Sequence, residues 1–252
     1  MQNPRTRLVT SSDERSVLDA LAASLSRDPQ LTFASGPLLA LADRVLTVEG
    51  EVADVRTKKL TLERLAASRA VGLIDDRLRV VPAERMGDAA IRDHLVPMIL
   101  GDSSFDECAI DVLEDGRIER LREARAIGQP KGNMRIAVSG GVVTLDGTVP
   151  SRNHARLASA LAWWVPGTRD VKDFLGARVP EEFDELDLVE GIRIVLEKDP
   201  LVDAGQIRVS AHDTSITLDG TVSCALERSA AERDAWFVPD VGEVVNRLQL
   251  LH

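Results

Sequence analysis

Val143-Thr144-Leu145-Asp146-Gly147-Thr148-Val149 reads VTLDGTV, and the phrase returns as ITLDGTV at 216–222 and as LTVEGEV at 46–52. One such match means little, so the test is whether the flanks keep step with the three glycines, Gly50, Gly147 and Gly220. Nineteen positions after Gly147 and Gly220 stand Pro166 and Pro239, and sixteen after them Trp163 and Trp236. Counting 24, 26 and 28 past each glycine gives Ile74-Asp76-Leu78, Val171-Asp173-Leu175 and Val244-Asn246-Leu248. Upstream, Leu39 and Leu41 match Ile136 and Val138, and with two extra residues Ile207 and Val209. Agreement at so many independent offsets identifies a repeat.

Each copy reads as helix-strand-strand-helix-strand. A first helix ends near Asp28-Pro29 or Asp199-Pro200, because the residue before proline is pushed out of the helical region. Two alternating strands follow, joined by a turn. The turn is Gly140-Gly141 in the middle copy, where both residues accept positive φ. It is Asp43-Arg44 in the first copy, and a longer loop, His212-Asp213-Thr214-Ser215, is expected in the third. The repeat glycine lies near the end of the second strand, where it tolerates a bulge or a close approach of the backbone to the next helix. The expected fold class is α+β: three tandem modules, each a small three-stranded sheet packed on two helices. Their expected bounds are 1–82, 86–180 and 184–252, with an insertion at 106–133 in the second.

Helix, then VTLDGTV, then a helix ending in V-P-G or V-P-D, then a short V-x-N/D-x-L strand: this pattern resembles the BON domain of bacterial osmotic-shock and cell-envelope proteins. The resemblance spans 12–82, 86–180 and 184–252, most closely the third copy. The first is most degenerate, with Glu49, Glu51 and no proline after its second helix. The resemblance implies a non-catalytic role in osmotic or envelope stress, through protein contacts or a phospholipid surface.

Composition narrows the partners. The chain has 252 residues, 31 basic and 41 acidic groups, net charge −10, no tyrosine and 3% aromatics. Residues 1–85 and 86–180 are nearly neutral; the acidic excess lies in 181–252, which carry 6 basic and 16 acidic groups. Phosphate-rich partners are repelled there, and no nucleic-acid partner is expected. Cys108 and Cys224 form neither a metal knuckle nor a disulfide framework. His94, His154, His212 and His252 sit at no ligand spacing. No Walker or G-x-S-x-G motif appears. No catalytic residue, metal or cofactor is therefore expected. Asp146 and Asp219, with Glu49, read as a repeated structural position rather than catalytic acids. The opening MQNPRTRLVTSSDERS has no signal-peptide core, so a cytoplasmic location is expected, or a periplasmic one if a leader has been removed.

Two candidate contact surfaces remain. The second helix of the first copy, about 54–71, carries Arg56, Lys58, Lys59 and Arg64, either a solvated face or an anion contact. Trp163-Trp164 and Trp236-Phe237 end the corresponding helices of the other copies. Neighbours on a helix point about 100° apart, so each pair either exposes one ring as a surface contact or packs between modules. The insertion reads as a hairpin around Asp115-Gly116, or as a short helix through Ile118, Leu121, Arg122 and Arg125. Gln129-Pro130-Lys131-Gly132-Asn133 reads as a loop. A hydrolytic activity housed in the insertion is the remaining alternative. Ser11-x-x-Glu14 is a capping-box pattern before the first helix.

Overall fold

The computed structural model describes residues 12–125, 131–178 and 183–251. Ser11, Gln129, Pro130, His252 and residues 179–182, at the expected boundary between the second and third modules, lie outside these. The chain divides into two compact units, Met1–Val81 and Pro82–His252.

The first unit runs α1 (Ser12–Arg27), β1 (Leu38–Ala42), β2 (Val45–Val52), α2 (Val55–Ala66) and β3 (Leu73–Val80). Strand β2 is central, antiparallel to β1 and parallel to β3. The β1–β2 turn places Asp43 and Arg44 at positive φ, as a two-residue hairpin turn of this hand requires. Helix α2 starts at Asp54, whose carboxylate accepts from the Thr57 amide at 2.7 Å. It ends at Ala66, short of the expected residue 71.

The second unit repeats that arrangement twice. Its first half contains α3 (Asp88–Gly101), β4 (Cys108–Glu114), β5 (Arg117–Arg122), β6 (Gly132–Ser139), β7 (Val142–Val149), α4 (Arg152–Trp164) and β8 (Asp170–Ala177). Its second half contains α5 (Glu185–Lys198), β9 (Ile207–His212), β10 (Ser215–Val222), α6 (Ala225–Phe237), β11 (Glu243–Asn246) and β12 (Gln249–Leu250). The strand orders are β5-β4-β6-β7-β8, and β9-β10-β11 with β12 also on β10.

The α+β expectation holds, but three equal sheets do not: the sheets have three, five and four strands. The insertion supplies the difference in the middle copy. It is the hairpin β4–β5 turning at Asp115-Gly116, not a helix, and β4 runs parallel to β6. Gly132 and Asn133, read as loop, are the first residues of β6. In the last copy the third strand is broken between Asn246 and Gln249. The His212–Ser215 turn is also tighter than expected. His212 pairs with Ser215 directly, so the turn is Asp213-Thr214.

The first helices clamp the hairpin turns. Asp88 at the start of α3 accepts from the Gly140 and Gly141 amides at 2.9 and 2.8 Å. Glu185 at the start of α5 accepts from the Asp213 amide at 2.6 Å. These acids stabilise the helix dipole and a turn together.

The repeat glycines serve the sheet, not the helix. At Gly147 (φ +125°) a Cβ would lie under 3.0 Å from the carbonyl oxygen of Asn133 on β6; at Gly220 (φ +134°) it would meet that of Gln206. The ladder runs through Gly147 and up to Gly220 without a bulge. The close approach is therefore to the neighbouring strand. At Gly50 a Cβ would meet Pro37 at 3.3 Å, a milder conflict. Gly147→Ala and Gly220→Ala are expected to cost roughly 2–4 kcal/mol each, through overpacking and strained φ. Gly50→Ala is expected to cost less. Denaturant unfolding of the three variants measures the ranking.

Candidate functional site

The polar residue 26 positions past each repeat glycine faces the helix layer. It lies two residues from apolar neighbours on the same side of the strand. Asp76, Asp173 and Asn246 each accept from the amide two residues on, at 2.9, 2.9 and 3.1 Å. Each also reaches the second helix of its copy. Asp76 binds Lys58 Nζ at 2.8 Å, Asp173 accepts from Ser159 at 2.7 Å, and Asn246 donates to Glu232 at 2.9 Å. Burial pushes the Asp173 carboxyl above its ordinary range, against the hydrogen bonds from Ser159 and Leu175.

This polar tie settles the place of the expected basic cluster. Lys58 is buried, with its ammonium on Asp76 and on the Leu78 carbonyl at 3.0 Å. It is a core ion pair, so it cannot serve the anion contact expected of it. Arg64 lies against Asp28 at 3.3 Å and Glu63 at 3.4 Å. Arg56 and Lys59 are half-buried on α2.

The tryptophans meet across the second unit. Trp163 on α4 stacks on Phe237 of α6, ring centroids 5.9 Å apart and planes 14° apart. Trp164 Nε1 donates to Asp234 Oδ1 at 2.8 Å. Trp236 is 4% exposed and Phe237 8%. Trp163, Trp164 and Phe237 thus meet at a junction between the two halves of this unit, the packing alternative of their reading rather than the exposed contact, while Trp236 is buried.

Arg156 is the junction's polar centre. It is almost wholly buried, and one terminal nitrogen reaches Asn153 Oδ1 at 2.7 Å and Asp187 Oδ2 at 2.6 Å. The other terminal nitrogen reaches Asp240 Oδ2 at 3.1 Å. Gly191 on α5 leaves room for it: a Cβ there would fall under 3.0 Å from Asn153 and from the Arg156 stem. At the far end of α5, Lys198 binds Asp102 at 2.9 Å. Burial opposes the Asp102 charge, but hydrogen bonds from Lys198 and Ser104 hold the carboxyl below its ordinary range. Beside Arg156 opens a cleft of about 520 Å³ lined by Arg152, Asp173, Leu175, Pro239 and Asp240 among others. Its two arginines and two aspartates balance, so it carries no net demand for an ion.

The insertion lines no part of that cleft. Arg122 donates to the carbonyls of Leu100 and Phe105 and so finishes the end of α3, while Arg120 pairs with Asp111. On the sheet face away from the helices, register aligns Arg120, Asp111, Arg135, Asp146 and Phe174 in one row across five strands. Arg135 and Asp146 approach to 3.4 Å. The repeated aspartate is thus a member of a cross-strand ion-pair ladder. Asp219 holds the same register opposite Arg208.

Sequence reasoning missed Arg156, Asp187, Asp234 and Asp240. A signal existed for Asp234: it stands 14 past Gly220, where the middle copy has Leu161. Cys108 and Cys224 are both free thiols. Burial pushes the Cys108 thiol up to about 11. Among the described residues no group of three or more His, Cys, Asp or Glu is placed to hold a metal, and no helix is long and apolar enough to cross a membrane.

The model of the BON domain matches residues 118–176 and 184–251, just over half of the chain. The chain belongs to the BON domain family. BON domains are generally non-enzymatic binding domains, and one matched stretch falls in each half of the second unit. No curated protein matches this chain. Two solved structures of CdsD, a structural protein of the Type III secretion system of Chlamydia trachomatis, are similar at 13% and 14% identity. They cover 94% of this chain, and 98% and 92% of their own, each with a TM-score of 0.25. That score carries no argument about this chain.

Two substitutions test the polar centres. Arg156→Met leaves Asp187 and Asp240 without their buried partner and is expected to cost about 3 kcal/mol, as for a broken buried pair. Lys58→Met strands Asp76 in the same way, with a loss of similar size in thermal unfolding of the first unit. Arg56→Ala is expected to change little.

Proposed function

We propose that this chain is a non-catalytic, three-module BON-type binding protein that acts through protein contacts and serves osmotic or envelope stress. The first unit supports the third module: its sheet order and connections are those of β6-β7-β8, with the glycine and the helix-facing aspartate at the same offsets.

The observation that carries the protein-contact reading is the outer face of the five-stranded sheet. Phe174 is 63% and Ile118 56% exposed there, beside alternating charges already paired within the sheet. An aromatic and an aliphatic side chain rimmed by neutralised polar groups suit a protein interface. Lipid attachment has fewer groups to draw on: Lys58 is engaged by Asp76, Arg64 lies on Asp28, and Trp163 and Trp164 face the junction. The acidic third module adds repulsion to any anionic surface.

Photo-crosslinkers placed singly at Phe174, Ile118 and Arg193 on α5, in cells under osmotic upshift, test the reading. The expected result is one protein species captured from positions 174 and 118 and not from 193. No capture, together with sedimentation on anionic vesicles that Arg56→Ala/Lys59→Ala abolishes, overturns it in favour of the lipid surface.

A further inference from the structure

Asp234 is fully buried on α6 without an ion-pair partner. Its Oδ1 accepts from Trp164 of α4, and its Oδ2 has no hydrogen-bond donor. Another carboxyl, that of Asp199 at the end of α5, stands within hydrogen-bonding reach, itself 7% exposed and accepting from the Leu201 amide at 2.9 Å. The charged groups around the pair do not neutralise it. Arg233, next to Asp234 on α6, is exposed to solvent. Lys198, next to Asp199 on α5, is committed to Asp102. From α4 the facing group is the neutral Trp164. An ionised Asp234 would face the Asp199 carboxyl in a dry place with no compensating donor, which favours its protonated form.

We propose that the junction of α4, α5 and α6 is an alkaline-sensitive latch, closed by a proton that Asp234 donates to Asp199 and loosened when that proton leaves. The protonated carboxyl fills every role its surroundings offer: Oδ1 takes the indole hydrogen, and Oδ2 gives its own to Asp199. The ionised carboxyl repels Asp199 and is desolvated without compensation. Burial first, and Asp199 second, push this carboxyl up to about 8.

The sign follows from proton counts. Opening returns Asp234 to water and to its ordinary value of 3.8, so between 3.8 and about 8 the closed junction holds a proton that the open one releases. Closure is strongest below that window, weakens as pH rises through it, and changes no further above it. Opening separates Trp163 from Phe237 and frees the Trp164 indole from Asp234, so alkalinisation presents more aromatic surface than the closed form does.

The chain has three tryptophans and no tyrosine, and two of the three, Trp163 and Trp164, stand at this junction, so indole emission reports the latch. In the full chain, emission is expected to shift to the red as pH rises from about 6 to about 9, with far-UV dichroism unchanged. Asp234→Asn donates an amide hydrogen to Asp199 at every pH and is expected to abolish the shift. Asp199→Asn, which donates to the ionised Asp234, is expected to shrink it, and remains informative if the first variant does not fold. Cys224→Ser is expected to keep it, since that thiol sits at the opposite end of α6. Flat emission in the unaltered chain, or an undiminished shift in either aspartate variant, overturns the latch.

Discussion

In both halves of the second unit the central strand approaches its antiparallel neighbour so closely that no Cβ fits at Gly147 or Gly220. That closeness lets Asn133 and Gln206 turn their carbonyls toward the central strand at the point where it leaves the sheet. The second helix then begins four residues after the glycine in all three copies, at Asp54, Ser151 and Cys224, each extended. Cap chemistry weakens along that series, since a thiol is a poor acceptor. The last copy compensates with Glu227, which accepts from the Ser223 and Asp203 amides. Hydrogen bonds, that of the Ser223 hydroxyl first, hold its carboxyl below the ordinary range.

Much of this was legible because repetition turns weak local signals into strong ones. The strand positions, the turn at Asp43-Arg44 and the helix ends before Asp-Pro follow from comparing copies. The insertion has no second copy to compare. Its helical spacing at Ile118, Leu121 and Arg122 has a physical source: the ladder shifts between Ile110 and Asp111, whose partners are Arg122 and Arg120. Leu121 is the extra residue, and a strand with one extra residue loses its period of two.

The candidate site was harder to read, because it is made of residues that break the repeat. Arg156 replaces a small polar Ser229 or a half-buried Lys59, and Asp234 replaces Leu161. Burying such a charge is sensible only against a partner element; Asp187 and Trp164 lie on other helices, and Asp240 just past the end of α6. The same holds for Lys58, which looks like part of a basic face until Asp76 is placed opposite. The tryptophans share the logic: the first copy has Ala66-Ala67 at their offsets and no aromatic pair there.

The added hairpin also alters what the middle sheet offers to other chains. In the first and last sheets the leading strands β1 and β9 are borders, with a free row of amides and carbonyls. In the middle sheet β4 covers that row and moves the border to β5, where Arg117, Glu119, Arg120 and Arg122 crowd the backbone. Charged borders resist strand addition. A protein assembled from repeated sheets is at risk of joining edge to edge with its own copies, and here the insertion removes the leading edge of the middle sheet from that risk.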